Sequence, residues 1–72
     1  MPRLPRLSGR EARQAFERAG WAYVRTRGDH MMLTAPGKRT LVIPDYDELP
    51  TFILRGLLRT AGLSVVEFLE LL

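Results

Sequence analysis

The sequence predicts a small α+β domain built on a three-stranded antiparallel sheet, with elements in the order αβββαα. One segment with apolar residues at helical spacing precedes three short β-rich runs, and two further helical patterns follow them. The links between the β-rich runs are a few residues each, whereas a parallel crossover takes about a dozen or more, so the strands form a meander. At 72 residues the chain has room for one domain, residues 1–72, whose core hides roughly 60% of the surface an unfolded chain exposes.

Ser8 opens the first helix: its hydroxyl can cap the free amides, and Glu11 three residues on completes a capping box. Ala12, Ala15, Phe16 and Ala19 form the apolar stripe, and Gly20 ends the helix. Trp21 to Arg25, rich in aromatic and β-branched residues, is the first strand, and Thr26–Asp29 the hairpin connection. His30–Thr34 is the return strand, with Met31 and Met32 on opposite faces. Ala35–Lys38 is a second turn and Arg39–Ile43 the third strand. After an acidic loop, Pro44–Leu49, Pro50 suits the first turn of a second helix, where Ile53, Leu54, Leu57, Leu58 and Ala61 make the buried stripe. Gly56 inside that helix costs about 1 kcal/mol relative to alanine, which implies close packing there. Gly62 is a left-handed C-cap, and Ser64 with Glu67 opens a terminal helix that is apolar around most of its circumference.

Composition narrows the chemistry. The chain has no cysteine and one histidine, so disulfides and thiolate metal sites are excluded, and no metal or other cofactor is expected. No apolar run has signal-peptide or membrane-spanning length, which points to a cytoplasmic protein without a membrane role. Charge is split along the chain: residues 1–40 hold nine Lys/Arg against three carboxylates, and residues 41–72 hold two against five. A polyanion is the partner such asymmetry suits, although a merely solubilising surface carries both signs too.

His30 is the only side chain of a type that changes charge near neutral pH, so it is the candidate for acid/base chemistry. Arg25, Arg27, Gly28, Lys38 and Arg39 surround it in the sequence and are the candidate polyanion-binding residues. Trp21 and Tyr23 offer stacking surfaces, but Trp21, straight after the first helix, is better placed for the core. Asp29 is a candidate site-tuning residue: a carboxylate beside the imidazole favours its protonated form and repels phosphate.

The Gly28-Asp29-His30 turn, the strand ending Leu41-Val42-Ile43-Pro44, the run Glu48-Leu49-Pro50 and the tail from Leu54 to Phe68 together resemble the HicA toxins of HicA/HicB toxin–antitoxin systems. The resemblance runs from about Ser8 to the end, its most specific part being the helix followed by Gly62-Leu63-Ser64. It implies a fold similar to the double-stranded-RNA-binding domain, a messenger-RNA endoribonuclease activity, and His30 as the catalytic residue. It also implies a HicB-like antitoxin that covers the active site, and no DNA contact except through that antitoxin. Two positions depart from the usual family pattern: Asp29 stands where serine or glycine precedes the histidine, and Tyr46 where a second histidine often follows the third strand.

RNA carries its own nucleophile, the ribose 2′-hydroxyl, so a protein need only move protons and stabilise charge on phosphorus. His30 would take the 2′ proton or supply one to the leaving 5′ oxygen, while Arg25, Arg27, Lys38 or Arg39 counters the phosphate charge. Asp29 and solvent are the candidates for the second proton transfer. A non-catalytic RNA-binding module would use the same cations without His30, and a purely structural interaction domain would use neither. For the terminal helix, the alternatives are a seal over the core and a docking surface that leaves part of Phe68, Leu69, Leu71 and Leu72 exposed.

Overall fold

In the computed structural model, which describes residues 2–72, the first helix α1 (Gly9–Arg18) starts where Ser8 caps it. The Ser8 hydroxyl accepts the Glu11 N–H at 3.1 Å, and the Glu11 carboxylate accepts the Ser8 N–H at 2.8 Å. Ala12, Ala15 and Phe16 are buried; Ala19 is the exposed C-cap, so the apolar stripe stops one residue earlier than its spacing suggests.

The strands β1 (Ala22–Arg27), β2 (His30–Thr34) and β3 (Leu41–Pro44) form an antiparallel sheet in the order β1-β2-β3. The first hairpin is tighter than the expected Thr26–Asp29 connection: Arg27 pairs with His30, and only Gly28 and Asp29 form the turn. Gly28 lies at φ +64° in the first central position, the place where a two-residue turn of type II′ wants glycine. Thr26 and Arg27 therefore extend β1. At the other end of the sheet, residues 35–40 make the second connection and β3 begins at Leu41 rather than Arg39. The register shifts between Tyr23 and Arg25, leaving Val24 as the extra residue of a bulge.

Helices α2 (Thr51–Ala61) and α3 (Val65–Leu69) complete the order αβββαα, an arrangement of the double-stranded-RNA-binding-domain kind. Gly62 caps α2 at φ +74°, and Ser64 and Glu67 form the second capping box. The sheet buries Met31, Leu33, Leu41 and Ile43 against Ala12, Ala15 and Phe16 of α1 and Leu54, Leu57, Leu58 and Ala61 of α2. Trp21 joins this core, and Phe68 of α3 seals it with its ring 5.3 Å from that of Phe16. Val66 and Leu72 stay half exposed. Because strand side chains alternate, burying Met31, Leu33, Leu41 and Ile43 on one face leaves His30, Met32, Thr34 and Val42 on the other.

Gly56 departs from expectation. Nothing lies within 4 Å of the place its Cβ would occupy, so the glycine serves no close contact within this fold. The close approach is at Gly9 instead, where a Cβ would fall on the Pro44 carbonyl oxygen.

Candidate nucleic-acid interface and active site

His30 opens β2 directly after the two-residue turn, between Arg27 of β1 and Pro44 of β3 in the sheet register. Its Nδ1 lies 3.1 Å from Asp29 Oδ1, and both side chains are more than half exposed. Asp29 thus lies beside one ring nitrogen, while among the described residues Nε2 has no side-chain partner. An imidazole placed in this way can accept and release a proton at Nε2.

Three backbone and side-chain ties hold this corner. The Asp45 N–H donates to the Asp29 carbonyl at 2.6 Å, fastening the hairpin turn to the loop after β3. The Gly9 N–H donates to the Tyr46 carbonyl at 2.8 Å, fastening that loop to the start of α1. Arg10 pairs with Asp45 at 2.5 Å and Asp47 at 3.3 Å. The acidic loop therefore lies at the positive end of α1 with an arginine of its own, an arrangement that satisfies much of its charge. Arg25 and Arg27 take no part in any ion pair among the described residues, which leaves the exposed face beside His30 cationic.

The structure divides the basic residues that the sequence placed together. Arg25, Arg27 and Gly28 stand at the His30 end of the sheet, with Arg25 and Arg27 registered opposite Met32 and His30. Lys38 and Arg39 lie in the second connection, at the far end of β2, about 13 Å along the strand. Lys38 Nζ reaches over the C-cap of α2, 3.3 Å from where a Cβ on Gly62 would stand, and there it complements the negative end of that helix. Nor do the aromatic residues flank His30. Trp21 is buried, and Tyr23 faces the helices, with the Arg13 guanidinium 3.7 Å over its ring and its hydroxyl 2.5 Å from Thr26 Oγ1.

Arg10 and Asp45 escaped sequence reasoning because their pairing spans 35 positions, and on α1 alone Arg10 looks like one more solvated charge. Among the described residues no group of three or more His, Asp or Glu side chains could hold a metal ion.

Comparison with known families agrees with this geometry. Residues 9–63 match the family described as the HicA toxin of bacterial toxin–antitoxin systems. This chain belongs to the HicA toxin family. The match takes in α1, the whole sheet, α2 and its cap, and therefore His30, Asp29 and the loop that holds them. As a HicA toxin, the chain is one half of a toxin–antitoxin pair, with an antitoxin as its partner. No curated protein matches it. The family covers the region that carries the sheet and its uncovered face, so the HicA fold and the site corner are one unit.

Proposed function

We propose that this HicA toxin is an endoribonuclease that cleaves messenger RNA without a metal, uses His30 as its general acid/base, and is neutralised by a cognate HicB antitoxin. The supporting observation is the placement of a half-exposed imidazole on an uncovered sheet face beside two unpaired arginines. His30 Nε2 removes the proton from a ribose 2′-hydroxyl, and the 2′ oxygen attacks the adjacent phosphorus. The bond from phosphorus to the 5′ oxygen breaks, and water protonates the leaving oxygen. The products are a 2′,3′-cyclic phosphate and a 5′-hydroxyl, and the imidazolium returns its proton to solvent.

Asp29 acts as the positioning residue, its carboxylate beside Nδ1; Arg27 and Arg25 counter charge on the phosphate. General acid/base assistance of this type contributes about 10²–10⁴-fold, and charge stabilisation by the arginines adds to it. The antitoxin masks the same face, and an acidic antitoxin surface complements its charge.

The nucleophile provides the test. RNA is incubated with purified protein in excess chelator, and a parallel strand carries one 2′-deoxy residue at the cleaved position. Expected are cyclic-phosphate and 5′-hydroxyl ends from RNA and no cut at the deoxy position. Cutting at the deoxy residue, or activity lost to chelator, contradicts the mechanism; RNA bound without any cleavage makes the chain a binding module.

A further inference from the structure

We infer that the uncovered sheet face is a platform for single-stranded RNA, on which Met32 and Val42 take the face of a base one nucleotide beyond the two that flank the scissile phosphate. The inference rests on the ribonuclease reading for its substrate class and goes beyond it in assigning a subsite. Its basis is the register. Across the three strands, Arg27, His30 and Pro44 form one row, and Arg25, Met32 and Val42 form the next. The rows are two residues apart along β2, a separation of about 6.8 Å. That step is comparable to one nucleotide of an extended strand, so a phosphate held at His30 sets its neighbour over the second row.

The second row has the chemistry of a nucleotide site. Arg25 at one end is exposed and unpaired, matching a phosphate, while Val42 at the other is 41% exposed and Met32 between them is half buried. Both apolar residues sit on a face that none of the helices covers. A methionine and a valine have no groups with which to read base edges; they offer only apolar contact to a base face. In duplex RNA those faces are already buried in the stack, so the platform accepts unpaired bases and discriminates little among them. The carboxylates nearest this face lie at its end, Asp29 in the turn and Asp45 beyond β3 held by Arg10, and neither belongs to the second row.

Two measurements test this. In the first, short single strands carrying one cleavable ribose are compared with the same strands extended by one deoxynucleotide on either side. For the wild type, extension on one side raises kcat/KM by about tenfold, as expected for one base face packed on two apolar side chains. In the Met32→Ala/Val42→Ala variant, folded by circular dichroism, that ratio falls to about one. In the second, an uncleavable all-deoxy strand is added to wild-type protein while the Met32 and Val42 methyl resonances are followed. Both shift with the single strand, and a duplex of the same sequence moves them far less. Unmoved methyls with the strand bound, an equal response to duplex, or an extension gain that survives the double variant overturns the platform. So do methyl shifts produced only by raising the protein concentration, which would assign the face to a second copy of the chain. Cleavage that depends on His30 while the methyls stay still leaves the ribonuclease reading standing without the platform. Methyl shifts and weaker binding by the double variant, in a protein that cuts nothing, leave the platform standing without the ribonuclease.

Discussion

Replacing Gly9 by alanine tests whether the contact between α1 and the end of β3 holds the site corner together. The new Cβ would overlap the Pro44 carbonyl oxygen and crowd the Pro44 carbonyl carbon at 3.0 Å and the Asp45 Cα at 3.2 Å. All three are backbone atoms, so no side chain can swing aside. Relief requires α1 and the loop to part by roughly 1 Å, which strains or breaks the Gly9–Tyr46 hydrogen bond. Overpacking of this kind costs about 1–3 kcal/mol and the lost hydrogen bond about 1, while alanine returns somewhat under 1 through its better helix propensity. The net is about 1–3 kcal/mol. Small domains hold roughly 0.05–0.15 kcal/mol per residue, so this is a large share of the total, and melting should fall by about 5–20 °C. Thermal melts and urea titrations followed by circular dichroism measure the loss. A Gly9→Ala protein that melts at or above the wild-type temperature refutes the close approach as the reason for this glycine.

The opposite substitution outcome is expected at Gly56, where the space is open: Gly56→Ala should stabilise by about 0.5–1 kcal/mol, and destabilisation in the same melts would reveal a contact the fold does not show. Glu67 is held below its ordinary value of 4.5 by the Ser64 backbone N–H first and the Ser64 hydroxyl second. A depressed carboxylate contributes stability above its unfolded value and loses it as pH falls through the folded one, so Glu67→Gln should flatten the decline in melting temperature below about pH 4.5. An unchanged acid limb would show that the cap carries no such linkage. For RNA affinity, Arg25→Ala and Arg27→Ala should each reduce the slope of log K against log salt by about 0.7, whereas Lys38→Ala, at the far end of β2, should leave it unchanged. An equal effect at Lys38 would extend the interface over the whole sheet.

Local patterns carried much of this fold into view. Both capping boxes, the α2 stripe, the Gly62 cap and the opposite facing of Met31 and Met32 follow from spacings of two to four residues, the range over which helix and strand geometry acts. The hairpin was longer in expectation than in fact because a glycine marks a turn without fixing how many residues close it. Close packing is expected at Gly56 but found at Gly9 for a related reason: a helical glycine does not by itself say what lies against it, and only the packing of β3 against α1 shows the contact. At the site, His30 and Asp29 were legible as adjacent residues. Arg10 with Asp45, and the row formed by Arg25, Met32 and Val42, were not, since they depend on register and on contacts between residues far apart in the chain. Closeness in sequence also groups Lys38 and Arg39 with His30, and in the fold the length of β2 separates them from it.

The central claim is that His30 moves the proton that starts cleavage. Its most direct measurement is the single-turnover cleavage rate of RNA, in excess chelator, for wild type and for a His30→Ala variant with an unchanged melting curve. Loss of about 10²-fold or more in rate, with RNA affinity retained, is the predicted result; a His30→Ala protein that cuts RNA at the wild-type rate contradicts the account.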